Sequence, residues 1–228
     1  MARRFLALVV VLGGSIILGT AGVQAKSDEA IRRNNFGAEL LKQGKLAEAI
    51  AEFHMAVEMD PAYVPAQRNL GFAYDRQGKV EEAMAAYRKA IQLEPRDAVT
   101  RNNLGVLYDK QGMYGEAIGE FEKALQIDPA NSTILKNLEN AKKNRAIIQE
   151  RLERIAQAKR DVEARPKDPQ AAYHLARVYA SFDEKDQAFE WLAKAFALGF
   201  DDFEFVKADP AVATLRGDPR FASLLGGR

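Results

Sequence analysis

The 228-residue chain is 47% hydrophobic, 29% charged and 9% aromatic, with 33 Lys and Arg against 32 Asp and Glu. An apolar share in the ordinary globular range excludes wholesale disorder, and a near-zero net charge lacks the basic excess that a general nucleic-acid binder carries. Cysteine is absent, which excludes disulfides, thiolate metal ligands and cysteine nucleophiles, and two histidines leave little for zinc or triad chemistry.

The first 25 residues read differently from the rest. Arg3 and Arg4 are followed by an almost wholly apolar run from Phe5 to Leu18, then by Val23-Gln24-Ala25, with small residues one and three positions before Lys26. A charged start, an apolar middle and a small-residue exit predict a secretory signal peptide, residues 1–25, cleaved after Ala25. The alternative is an uncleaved membrane anchor over residues 5–23, nearly long enough to span. Phe5 directly after the arginine pair departs from a twin-arginine signal, and without cysteine no lipoprotein can form. Cleavage leaves 31 basic against 32 acidic residues, or −1. The expected location is periplasmic or secreted in a bacterium, or membrane-anchored if the signal is kept.

From residue 30 the sequence repeats every 34 residues. Phe36-Gly37, Leu70-Gly71 and Leu104-Gly105 align, as do Leu40, Tyr74 and Tyr108, and Gly44, Gly78 and Gly112. Ala49, Ala83 and Ala117 follow at the same interval, then Phe53, Tyr87 and Phe121, then Ala56, Ala90 and Ala124. Each unit closes on an acidic-Pro pair, Asp60-Pro61, Glu94-Pro95 and Asp128-Pro129. Apolar residues at intervals of three and four predict two helices per unit, with a glycine turn between them and a proline stop after. Small residues such as Gly71, Ala83 and Ala90 stand where the helices must approach closely, and Tyr74 and Tyr87 fill the space beside them. One such pair cannot bury its apolar face alone, so neighbours must stack into a solenoid.

These units resemble tetratricopeptide repeats (TPRs), three near-complete ones at 30–63, 64–97 and 98–131. They lack the tryptophan often found early in the unit, where Arg33, Gln67 and Arg101 stand. The resemblance implies an all-α fold, a right-handed TPR superhelix, and partner binding along the face formed by the first helix of each unit.

Residues 132–166 keep helical spacing through Leu138, Ala141, Ile148, Leu152, Ile155 and Val162, with no glycine or proline before Pro166. They read as one long linking helix, or as a pair whose turn is lost. Nine basic and five acidic residues over 132–165 give it +4, a solvated face or a dock for an acidic partner or an anionic membrane. Residues 167–228 then read as a degenerate fourth repeat ending near Gly199, plus a helical C-terminal cap. Asp168-Pro169, Asp209-Pro210 and Asp218-Pro219 are helix starts of the cap-plus-proline kind. Phe200, Phe203, Phe205 and Phe221 are expected to close the open end.

Nothing in the sequence assembles a reaction centre. His54 and His174 stand 120 residues apart on predicted helices, and none of Ser27, Ser132, Ser181 and Ser223 lies in a Gly-x-Ser-x-Gly turn. No glycine loop for phosphate is present. The expectation is a non-enzymatic module with no cofactor and no metal site.

The candidate site is therefore a binding face. Asn35, Asn69, Asn103 and Asn137 form a row at an unbroken interval of 34. An amide both donates and accepts, which suits the backbone of an extended peptide, and it equally suits a tie between neighbouring helices. A second row reads Lys42, Arg76 and Lys110, with Arg68 and Lys136 beside the asparagines. These cations suit a partner with acidic groups, while Asp75 and Asp109 temper them. Ala38, Phe72 and Val106 share the face, with Phe72 the best apolar anchor. The expected function is an exported scaffold or adaptor that binds a protein or peptide in this groove, within an envelope assembly. No nucleic acid is expected as partner, and a membrane only with an uncleaved signal. The rival is a structural subunit of a secretion, pilus or cell-wall complex, packed through the long helix and the C-terminal end.

Overall fold

Helices account for all regular structure in residues 24–226, which are the residues the computed structural model describes. The apolar run read as a signal or an anchor lies outside them. No helix among the described residues is long and apolar enough to cross a membrane. The chain divides after Lys143 into two compact units.

The first unit stacks three helical hairpins. Helix α1 (residues 24–42) pairs with α2 (Leu46–Met59), α3 (Val64–Gln77) with α4 (Val80–Leu93), and α5 (Ala98–Lys110) with α6 (Tyr114–Ile127). The first turns of α7 (Ser132–Ala164) cover the last pair, with Ile134 and Ala141 buried in the same cluster as Phe121. Helix α7 runs unbroken for 33 residues, so the turn expected of a hairpin is absent from it.

The turn inside each hairpin follows from one glycine. Gly78 has φ of 80°, its N–H bonds to the Asp75 carbonyl at 3.1 Å, and the Lys79 N–H bonds to the Tyr74 carbonyl at 2.9 Å. These bonds occupy carbonyls that the helix end leaves open, and the left-handed conformation costs glycine nothing. Gly44 and Gly112 repeat the turn with φ of 78° and 73°.

The helices of a hairpin meet at the other repeated glycine. A Cβ placed on Gly71 would lie 2.8 Å from the ring of Tyr87, and the matching positions bring Gly37 to Phe53 at 2.7 Å and Gly105 to Phe121 at 2.6 Å. All three rings are buried, as are Ala49, Ala83 and Ala117 one turn earlier on the same second helices. The ring uses the space that a side chain on the first helix would fill, which is how a large aromatic and a close helix approach coexist.

The second unit holds a further hairpin, α8 (Pro169–Ser181) and α9 (Lys185–Ala197), followed by α10 (Phe203–Ala208), a 3-10 turn (Pro210–Leu215) and α11 (Pro219–Leu225). The three cap-plus-proline starts form as expected: Asp168, Asp209 and Asp218 accept from the N–H groups of Gln170, Ala211 and Arg220 at 2.9, 2.9 and 3.0 Å. Helix α10 lies within the expected helical cap, though none of the three named starts opens it; its local signal is Asp202, which accepts the Phe205 N–H at 2.9 Å. Phe200 and Phe221 are buried and Phe203 half-buried, but Phe205 is 46% exposed and does not close the unit. The cause is helical rotation, since α10 buries Val206 and the residue before it turns away.

The glycine contact predicts two opposite outcomes for one substitution. Gly71→Ala should lower stability by about 1–3 kcal/mol through overpacking against Tyr87, despite the better helix propensity of alanine. Gly119→Ala, in α6 with nothing within 4 Å of the added carbon, should raise it by about 0.5–1 kcal/mol. Denaturant melts of the two variants beside the parent measure both.

Candidate functional site

Along each first helix, residues at intervals of three and four share one face. On α3 these are Asn69, Phe72 and Arg76; on α5, Asn103, Val106 and Lys110; on α1, Asn35, Ala38 and Lys42. Phe72 stands out of the stack, 39% exposed, with the Arg76 guanidinium 5.6 Å from its ring centroid. A cavity of about 170 Å³ lies between Phe72 and α5, lined also by Asp75, Arg76, Asn103, Val106 and Lys110. A second, of about 180 Å³, lies on the other side of Phe72 against Leu41 and Leu46. The phenyl ring is thus a ridge between two side-chain-sized hollows, with Arg76 bordering both.

The asparagines do not act alike. Asn69 Nδ2 donates to Asn34 Oδ1 at 2.8 Å, and Asn137 Nδ2 donates to Asn102 Oδ1 at 2.9 Å. Each of these is a tie between first helices of adjacent repeats, made by residues 35 apart. The continuous row facing a partner is therefore broken: one amide N–H of Asn69 and of Asn137 serves the stack. Asn35 is exposed and accepts from Asn34 at 3.5 Å. At the middle junction the residue matching Asn34 and Asn102 is Arg68, which donates instead to Asp97 at 2.9 Å. The Asn103 side chain is left without a partner among the described residues, and it borders the 170 Å³ cavity. Asn34 and Asn102 were missed in the sequence; their spacing of 68, one place before the asparagine row, was the available signal.

The basic row is also divided. Lys110 Nζ lies 2.7 Å from Asp75 and Lys42 Nζ 3.2 Å from Glu39, so these charges are answered inside the molecule. Arg76 and Lys136 are exposed and form no ion pair among the described residues. Asp97, which holds Arg68, is buried at the start of α5 and also accepts from the Thr100 N–H and hydroxyl. Burial alone would raise its carboxyl, but the Thr100 bonds and the Arg68 charge outweigh it and hold the carboxyl below the usual range. Among the described residues, no three His, Asp or Glu side chains converge as a metal site requires.

The repeat is recognised independently. Family models described as "TPR repeat" match residues 37–78 and 76–112, and one described as "Tetratricopeptide repeat" matches 98–131. Residues 37–131 are thus a tandem of tetratricopeptide repeats. Solved structures agree on the fold. The first TPR domain of human RPAP3 is 23% identical, with a TM-score of 0.52 over 54% of this chain and 96% of that one. The first TPR of Spaghetti (RPAP3), solved with the HSP90 peptide SRMEEVD, is 24% identical, with a TM-score of 0.51 over 53% and 95%. The Sgt2 TPR domain from Aspergillus fumigatus is 19% identical, with a TM-score of 0.51 over 54% and 82%. No curated protein matches the chain.

The Asp97 cluster carries a pH prediction. A carboxyl depressed in the folded state adds stability that is complete above its unfolded value, about 3.9, and that is lost as pH falls through the folded one. Asp97→Asn should therefore lower stability at neutral pH and flatten its decline in the acid range. Denaturant midpoints taken from pH 7 down to pH 3 read both effects.

Proposed function

We propose that this chain is an exported, non-enzymatic scaffold or adaptor that holds an extended peptide segment of a partner in the groove around Phe72. The observation that carries the reading is the ridge itself: an exposed phenyl between two hollows, with the Arg76 guanidinium and the unpartnered Asn103 amide beside it. An exposed aromatic and an arginine beside it are the residue types that dominate binding energy. The amide can pair with a peptide backbone, and Arg76 and Lys136 supply charge for acidic groups. The Spaghetti domain, with the same fold, holds a peptide rich in acidic residues, which supports this class of partner. Export rests on the leader read in residues 1–25, and an envelope assembly is the setting it implies.

A second reading has its own observation. On α7, Ile147, Ile148 and Leu152 are 51%, 36% and 60% exposed, an apolar stretch that suits permanent packing within a larger complex. Capture of partners by the tagged mature protein from envelope extract, followed by calorimetry, separates the two. Phe72→Ala should weaken binding by about 1–2 kcal/mol, roughly 5- to 30-fold, and Asn103→Ala by about 0.5–1.5 kcal/mol, with melting unchanged. Loss of binding on Leu152→Asp alone would support the structural subunit instead.

Export has a separate test. N-terminal sequencing of the protein from its native host should begin at Lys26; an intact Met1 on membrane-retained protein would make it an anchored one.

A further inference from the structure

The second unit contains a cavity of about 310 Å³ between the last turns of α7, the exposed face of α8 and α10. Its position follows from the repeat register. His174 stands before Leu175-Ala176 as the asparagines stand before Leu70-Gly71 and Leu104-Gly105. Gln170, His174 and Arg177, at intervals of four and three, therefore continue on α8 the kind of face that forms the groove in the first unit.

The walls are held from behind. Asp209, its side chain 1% exposed, lies 2.6 Å from Arg177 Nε and accepts the Tyr173 hydroxyl at 2.8 Å and the Ala211 N–H at 2.9 Å. The Arg177 Nε–H keeps no hydrogen bond, and Arg177 is tied to Asp209 by charge and by Nη2, which donates to Asp209 Oδ1 at 3.5 Å. On the α7 side, Arg165 Nη1 donates to Asp168 at 2.6 Å. Asp209 and Asp168 orient the two guanidinium groups and use part of their donors. The carboxylate of Asp209 is consumed in doing so.

What remains unspent at this wall is mostly N–H: Arg165 Nη2, Arg177 Nη1, the Gln170 amide and the His174 ring. The side chains of Gln170 and His174 meet no partner among the described residues. Opposite them stands an apolar surface, the exposed Phe205 ring set edge-on at 6.0 Å from Tyr173. Asp161 also borders the cavity, with one oxygen taken by Gln157 at 3.0 Å. Its charge opposes a dianion such as phosphate more than a monoanion, and the guanidinium forks match a carboxylate. The volume sits at the lower edge of ligand cavities and has room for about one amino-acid residue.

We infer that this cavity is a second binding site, separate from the Phe72 groove, that takes a carboxylate carried on an apolar stem. The carboxylate meets Arg165, His174 and Arg177, and the stem lies against Phe205. Such a group is found on a free organic acid or on the last residue of a peptide.

The test is an NMR titration of the mature full chain with 3-phenylpropanoate, 3-phenylpropanamide and inorganic phosphate. The acid should bind with a dissociation constant on the order of 1 mM, shifting His174 and Gln170, and the amide and phosphate should not saturate. Arg165→Gln should weaken the acid about tenfold, and Phe205→Ala should weaken it with the melt unchanged; both leave the buried Asp209 paired. Equal binding of the amide, equal binding of phosphate, or no saturation by the acid would each overturn the assignment. N-acetyl-Ala-Ala-Phe beside its C-terminal amide then distinguishes the sources. Tighter binding of the free-terminus peptide than of 3-phenylpropanoate identifies a peptide end, and weaker binding identifies a small acid; both outcomes require the carboxylate preference.

Discussion

The first unit depends on one contact made three times: an aromatic ring of the second helix seated on a glycine of the first. Phe53 on Gly37, Tyr87 on Gly71 and Phe121 on Gly105 set how near the two helices lie, and so the face that each hairpin offers the next. A ring of this size is among the largest contributions to core burial, and it fits only because glycine leaves the room. Once the spacing is set, the glycine turn returns the chain and the proline stop ends it. The stack then repeats at the same pitch wherever the same residues recur.

Repetition of that geometry brings residues 35 apart within reach across adjacent first helices. Two junctions use the reach for amide pairs, Asn34 with Asn69 and Asn102 with Asn137. The middle junction has Arg68 in place of the first asparagine, and its guanidinium is drawn to the buried Asp97. One substitution in the repeat thus frees Asn103 at the position where Phe72 rises out of the face. The stack needs its ties at some junctions, and the surface gains an open amide at the one where the tie is replaced. Arg76 adds the charge there, because Lys110 and Lys42 are already neutralised by Asp75 and Glu39.

Much of this was legible in the sequence because local chemistry determines it. Gly78 needs positive φ, and Asp168, Asp209 and Asp218 cap helices with their own side chains, so each could be read from two or three neighbouring residues. The groove face was legible for the same reason, since Phe72, Arg76, Val106 and Lys110 are placed by helical period alone. What escaped depends on contacts between helices. The sequence shows Asn69 in a row of equals, but only the register between α1 and α3 shows that Asn34 takes one of its N–H groups. Helix α10 has a single cap residue and too few residues for a periodic pattern, and Phe205 faces outward because Val206 is drawn into the core.

The central claim is a division of labour along the asparagine row, with Asn69 and Asn137 holding the stack and Asn103 meeting the partner. Side-chain amide NMR of the mature protein, recorded with and without the captured partner, tests it most directly. The account predicts that the Asn103 amide and the Phe72 ring shift on binding, while the Asn69 and Asn137 amides keep their positions and their protection from exchange. Shifts confined to Ile147, Ile148 and Leu152, with Asn103 unmoved, would contradict it.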